Sequence, residues 1–129
     1  MDKDSAEWKP FPLYKIAQAR SGDKGDTCDI SVFAPNAEIF KALREALSPA
    51  AVKAHFGEYV KGEVTRYELP NLFALKFVCK HALGGGGAAS LRSDNLGKSM
   101  AANLLRMSVS LPVRAASQSP LLNGPGGVQ

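Results

Sequence analysis

The sequence has few of the residue types that mark metal-binding, redox or secreted proteins. Its 129 residues include two cysteines, Cys28 and Cys79, and two histidines, His55 and His81. Because both cysteines lie within apolar runs, they favour buried, reduced thiols and a cytoplasmic protein rather than a disulfide-stabilised one. No H-x-x-x-H, C-x-x-C or G-x-S-x-G pattern occurs, which excludes the common zinc, thioredoxin-like and hydrolase signatures.

Long hydrophobic runs are also missing. No stretch approaches the roughly 18 apolar residues that a membrane-spanning helix needs. The charged start, residues 1–4, has no apolar region behind it of the kind that a secretory signal carries. The sequence therefore predicts a soluble protein with no membrane partner.

Acidic residues are scarce in the second half of the chain. Residues 1–60 contain 8 Lys/Arg and 9 Asp/Glu, a balance of −1, whereas residues 61–129 contain 8 and 3, a balance of +5. This excess of positive charge suits a phosphate-bearing ligand or an acidic partner, although a solvated surface explains it as well. Because the basic residues neither cluster nor alternate with aromatic residues, we expect no nucleic-acid partner.

Hydrophobic periodicity predicts an α+β domain. Two short helices, capped by Asn36 and Ser48, and a longer helix from Asp94 are expected. The expected strands are Leu13–Ala19, Cys28–Phe33, Val60–Leu69, Leu72–Cys79 and a last one between Met107 and Leu111. From the second strand on, the order is β-α-β-β-α-β, the ferredoxin-like (split βαβ) arrangement. Helices should cover one face of a largely antiparallel sheet, which leaves the other face for a partner subunit.

Composition divides the chain into three parts. Residues 1–11 are polar and predict an N-terminal arm, and residues 12–112 carry the periodic segments of one folded domain. Residues 115–129 contain no charge and are rich in Gly, Pro and Ser, so a flexible tail is expected over residues 113–129.

A first loop that could carry chemistry joins the first two strands. It reads Arg20-Ser21-Gly22-Asp23-Lys24-Gly25-Asp26-Thr27. Glycines three apart allow a sharp turn whose backbone N–H groups could form a concave anion site. The two cations would add positive charge, and the two aspartates could grip a phosphate through a Mg²⁺ ion. P-loop spacing is absent, and a plain hairpin turn whose aspartates bond their own backbone explains the same residues.

A second loop follows the most apolar strand. It reads Gly84-Gly85-Gly86-Gly87-Ala88-Ala89-Ser90-Leu91-Arg92. The spacing G-x-G-x-x-A is present, but a dinucleotide site also needs a parallel βαβ unit and an acidic residue about twenty positions later, and neither occurs. Ordering four consecutive glycines costs considerable chain entropy. The loop is therefore either a mobile connector or a segment that a ligand or neighbouring chain orders.

Five motifs occur in collinear order between about Leu13 and Met107. They are Ala19–Thr27, His55-Phe56-Gly57, Arg66-Tyr67-Glu68-Leu69-Pro70, Ala82–Gly87 and Ser90-Leu91-Arg92. Together they resemble the small C-terminal domain of AtuA-like (acyclic terpene utilisation A) proteins. The resemblance implies a ferredoxin-like fold, a larger AtuA-like partner domain that this sequence does not contain, and a role in the breakdown of acyclic terpenes and branched acyl-CoA compounds. It carries over no catalytic residues.

Three functions follow from these features. The favoured one is an accessory subunit of a larger AtuA-like protein, in which Arg20, Lys24 and Arg92 hold the phosphate of an acyl-CoA or another anion while glycine N–H groups cradle it. The second is a structural module that forms a homo-oligomer through its open sheet. The third, an independent small enzyme, is least favoured because no nucleophile–base pair is visible.

Overall fold

Six strands and five helices make up the part of the chain that the computed structural model describes, residues 7–82 and 100–123. The strands are β1 (Trp8–Pro12), β2 (Gln18–Lys24), β3 (Thr27–Phe33), β4 (Val64–Leu69), β5 (Ala74–Cys79) and β6 (Ser108–Pro112). The helices are α1 (Ala37–Ala46), α2 (Pro49–Phe56), α3 (residues 100–105), α4 (Val113–Ala116) and α5 (Pro120–Asn123). None of the helices in these ranges is long and apolar enough to cross a membrane.

A four-stranded antiparallel sheet, in the order β2-β3-β5-β4, forms the centre of the fold. The two central strands alternate buried and half-buried residues, as a strand with one covered face should. Ile30 of β3 lies beside Phe77 of β5 on the covered face, and both are fully buried. The predicted α+β, ferredoxin-like class with helices on one face is confirmed.

The edge of the sheet beside β3 differs from the usual ferredoxin-like order. There, the last strand of the β-α-β-β-α-β run would pair with the first. In this chain β2 takes that place, and β6 pairs instead with β1, with Phe11 opposite Val109. A two-residue hairpin is the shortest connection between antiparallel strands, so β2 reaches β3 before any later strand can.

The predicted strand Leu13–Ala19 is wrong. Leu13–Lys15 is a 3₁₀ turn, and strand structure begins at Gln18. Leu13, Ile16 and Ala17 are all buried. Their spacing of three and one is that of a helical turn, which a search for period-two alternation misreads over so short a run.

Two segments that composition predicts to be an arm and a flexible tail contain regular structure within residues 7–12 and 113–123. The predicted N-terminal arm contains β1, and the predicted flexible tail contains α4 and α5. Ser119 is fully buried, and its hydroxyl donates to the carbonyl oxygens of Lys15 (3.1 Å) and Ile16 (3.2 Å). Residues 113–123 therefore belong to the fold, because small alanines and one buried serine fix a segment whose low charge resembles a linker.

The predicted helix caps at Asn36 and Ser48 are confirmed, and the predicted helix start at Asp94 lies outside the described residues. The Asn36 side chain accepts a hydrogen bond from Ile39 N–H (2.9 Å), and Ser48 Oγ accepts one from Ala51 N–H (3.0 Å). At the other end of α1, Arg66 Nη1 donates to the carbonyl oxygens of Arg44 (2.7 Å) and Leu47 (2.9 Å). A partly buried arginine from β4 thus satisfies carbonyls that the end of α1 leaves free.

The two cysteines are opposite each other on β3 and β5, fully buried and not bonded. Burial raises the pKa of the Cys28 thiol to about 12 and that of the Cys79 thiol to about 11. We expect both thiols of the folded protein to resist alkylation at pH 8 and to react quickly once urea unfolds the chain. Because the unfolded thiols lose their protons first, stability should fall as pH rises above about 9. Rapid alkylation under native conditions would contradict this burial.

Candidate functional site

The segment Arg20–Thr27 is a β-hairpin, not an open loop. Lys24 pairs with Thr27, so only Gly25 and Asp26 form the turn. Gly25 has a φ of 64°, the backbone that a glycine at the first position of a tight hairpin turn adopts. Extended, paired strands do not curve around an anion, so only the turn itself could present free backbone N–H groups. The structure shows the hairpin turn of the alternative interpretation, while the concave anion site and ligand binding by these residues stay predictions.

Strand alternation sends the predicted binding residues to two faces. Ser21 lies on the covered face, where its Oγ accepts a hydrogen bond from Ala101 N–H of α3 (3.3 Å). Arg20, Gly22 and Lys24 lie on the opposite, outer face. Four strand residues separate the Cα atoms of Arg20 and Lys24 by about 13 Å. The two cations therefore do not converge on one small anion from the same strand.

At the tip of the hairpin, Asp26 contacts His81. Its carboxylate oxygen Oδ2 lies 2.8 Å from Nδ1 of His81, and its carbonyl oxygen accepts a hydrogen bond from Ala82 N–H (2.8 Å). The pairing of β3 with β5 brings these residues together across 55 positions of sequence. No carboxylate lies near His81 in the sequence, so the residue does not stand out before the fold is known. A prediction that β3 pairs with β5 would have placed Asp26 near His81.

The imidazole of His81 is oriented by more than Asp26. Its backbone has a φ of 53°, a left-handed conformation that is uncommon outside glycine. A Cβ placed on Gly62 would lie 2.7 Å from Cδ2 of the His81 ring and 2.6 Å from the carbonyl oxygen of Lys80. Lys53 of α2 fixes this approach by donating from Nζ to the carbonyl oxygens of Val60 and Gly62. The His81 ring therefore lies between the carboxylate of Asp26 and the backbone at Gly62, where a side chain would not fit.

This geometry predicts the tautomer of neutral His81. Asp26 accepts the proton on Nδ1, which leaves Nε2 as the basic nitrogen on a side chain that is 68% exposed. We expect ¹⁵N chemical shifts of the ring above pH 8 to report the Nδ1–H form, and Asp26→Asn to shift His81 toward the Nε2–H form that isolated histidines favour. Unchanged ring shifts in that variant would show that the contact does not set the tautomer.

The second predicted loop, Gly84, Gly85, Gly86, Gly87 and Arg92, lies outside the described residues. The described residues on either side of it both contact the hairpin. Ala82 bonds to the carbonyl oxygen of Asp26, and Ala101 bonds to Ser21. Ala82 and Ala101, one on each side of residues 83–99, therefore both contact the hairpin.

The sequence predicts no cofactor and leaves a Mg²⁺ ion held by Asp23 and Asp26 as an alternative. One oxygen of Asp26 is engaged by His81. Within residues 7–82 and 100–123, no three His, Cys, Asp or Glu side chains gather where they could hold a metal ion. Both the absence of a cofactor and the magnesium alternative stay predictions.

Comparison with known families supports the collinear motifs. The family model of the AtuA ferredoxin-like domain matches residues 11–110, which is most of the 129-residue chain. The chain matches no curated protein and no solved structure.

Proposed function

Because the chain belongs to the AtuA ferredoxin-like domain family, we propose that it is an accessory domain of a larger AtuA-like protein that acts on acyclic terpene or branched acyl-CoA compounds. It supplies the β2–β3 hairpin and the segment after His81 to a site shared with that partner. The ligand at this site carries a phosphate or another anionic group.

The observation that carries the proposal is the meeting of several polar features at one end of the sheet. The hairpin tip, the oriented imidazole of His81 and Ala82 lie there, and Ala101 contacts the same hairpin further along β2, at Ser21. Such a surface offers a histidine nitrogen, backbone donors and basic residues, but no complete catalytic set within the described ranges. A partner that brings the remaining groups completes the site.

The proposal is tested by ligand affinity in the assembled complex. Coenzyme A is titrated into the complex of this chain with its AtuA-like partner by calorimetry. Arg20→Ala and Arg92→Ala are each expected to weaken binding by about tenfold, because a charged contact to phosphate is lost. Arg114→Ala, an exposed arginine on α4, is the matched control. If both variants bind like the unmodified complex, neither Arg20 nor Arg92 contributes to an anion site, which contradicts the proposal.

One observation favours a second function, self-association. Large apolar side chains are exposed around the β4–β5 connection: Tyr67 (53%), Leu69 (36%), Leu72 (59%) and Phe73 (36%). An exposed apolar patch of this kind is typical of a protein contact. A dimer in light scattering that Leu72→Asp converts to a monomer would support this function.

An independent enzyme has one supporting observation, the contact between Asp26 and His81. A carboxylate that orients a histidine is the arrangement that general bases use. A base alone defines no reaction, and both thiols, the strongest nucleophiles of the chain, are buried. This function remains the least favoured of the three.

A further inference from the structure

Strand register places two cations and two hydroxyls in one row across the outer face of the sheet. Arg20 is opposite Ser31, Ser31 is opposite Lys76, and Lys76 is opposite Tyr67. Register partners in antiparallel strands share a face, and neighbouring strands lie about 4.8 Å apart. The Cα atoms of Arg20 and Lys76 are therefore about 10 Å apart, with a small serine between them.

The two cations of this row are available to a ligand. Among the described residues, neither Arg20 nor Lys76 forms an ion pair. The guanidinium of Arg20 lies over the ring of Phe33, 5.9 Å from its centroid, which restricts where it can point. Lys76 is half-buried on a central strand. A restrained guanidinium and a flexible ammonium on either side of a short hydroxyl suit a tetrahedral oxyanion.

We infer that Arg20 and Lys76 form a phosphate-group site over Ser31 on the outer face of the sheet. The inference refines the proposed function, on which it rests for the class of ligand, and moves the anion from the hairpin tip to the sheet. Arg20 presents its planar donors to two phosphate oxygens, Lys76 adds a point charge, and the Ser31 hydroxyl donates between them.

A groove beside Arg20 indicates what the phosphate is attached to. It has a volume of about 370 Å³, and its lining includes Tyr14, Gln18, Phe33, Leu105 and Leu121 together with Arg20 itself. Aromatic and leucine walls next to a cationic end suit a phosphate ester with an apolar or planar body better than free phosphate. A phosphate ester should therefore bind more tightly than inorganic phosphate.

The charges of Asp29 and Lys24, which lie near the row, should affect anion binding differently if the anion binds over Ser31. Asp29 lies in the adjacent row, opposite Gly22 and Val78, where its carboxylate repels an anion bound over Ser31. Lys24 is two rows away at the hairpin tip, opposite Thr27. Removing the charge of Asp29 should strengthen binding, and removing that of Lys24 should leave it nearly unchanged.

The experiment is an NMR titration of the ¹⁵N-labelled full chain at constant ionic strength. Inorganic phosphate and coenzyme A are added separately, with chloride as the control for non-specific salt effects. We expect amide shifts centred on Ser31 and Lys76, with tighter binding of coenzyme A. Arg20→Ala and Lys76→Ala should each weaken binding by about tenfold, Asp29→Asn should strengthen it by about threefold, and Lys24→Ala should change it by less than about twofold. The spectrum of each variant confirms that it is folded.

Each other outcome overturns the inference in a distinguishable way. Equal responses to chloride and phosphate, or no response to phosphate and coenzyme A, show that the row is not an anion site. The proposed function is then still tested by the affinity of the complex. Loss of binding in Lys24→Ala with none in Lys76→Ala puts the anion at the hairpin tip, which contradicts the inference and retains the proposed function. Equal affinities for phosphate and coenzyme A would show that the groove does not bind the rest of the ester, which contradicts the assignment of a phosphate ester as the ligand.

Discussion

Gly62→Ala is expected to lower the free energy of unfolding by about 3 kcal/mol, the upper end of the usual cost of overpacking. The added methyl would lie 2.6 Å from the Lys80 carbonyl oxygen, which is backbone and cannot rotate away, and 2.7 Å from the His81 ring. Either β4 separates from β5 at this end or His81 leaves Asp26. Urea denaturation measures the loss as a lower midpoint at unchanged slope, and the ring shifts of His81 report the displacement.

Gly22→Ala is the matched control. Its new methyl would lie 3.7 Å from Oδ1 of Asp29, an ordinary contact. A strand also tolerates alanine at least as well as glycine. We expect a change below about 0.5 kcal/mol. Equal costs for the two substitutions would contradict the close approach of Gly62 to His81.

Arg66→Ala is expected to lower the free energy of unfolding by about 3 kcal/mol. The side chain is only 17% exposed, and it donates to two carbonyl oxygens at the end of α1. Removing it deletes two charged hydrogen bonds and leaves both acceptors without their partner, at about 1.5 kcal/mol or more each. The expected result is a lower denaturation midpoint, with amide exchange fastest in the last turn of α1.

Arg44→Ala separates this capping role from surface charge. Arg44 and Glu68 are 3.7 Å apart, and each side chain is 39% exposed. An exposed pair of this kind contributes between about 0.2 and 1 kcal/mol. If Arg44→Ala destabilised the protein as much as Arg66→Ala, the ion pairs around Glu68 rather than the cap of α1 would explain the effect.

The role of Arg66 shows what the sequence could and could not reveal. The motif Arg66-Tyr67-Glu68-Leu69-Pro70 supported the family resemblance, but its physical reason depends on α1, which lies about twenty residues earlier in the chain. Local features were predicted well. Asn36 and Ser48 cap their helices as expected because a cap depends on residues within one turn.

Several of the errors, though not those at Leu13–Ala19 and in the tail, arise from strand pairing. Polar residues from Arg20 to Lys24 resemble a loop in composition, yet pairing with the apolar β3 keeps them extended. Pairing also decided that β6 joins β1, and it created the Asp26–His81 contact between residues far apart in sequence. The strand register also places Arg20 and Lys76 in one row, although the sequence around neither residue indicates that they are neighbours. A single sequence encodes such partners only through the whole fold.

The central claim is that this chain acts with a larger AtuA-like partner, and co-purification tests it most directly. The tagged chain is recovered from its native host at low and moderate salt, and the proteins that accompany it are identified and quantified by mass spectrometry. The account predicts one larger AtuA-like protein in a fixed ratio, retained when Leu72→Asp has removed any self-association. Recovery of the chain alone under both conditions would contradict the claim of an accessory domain.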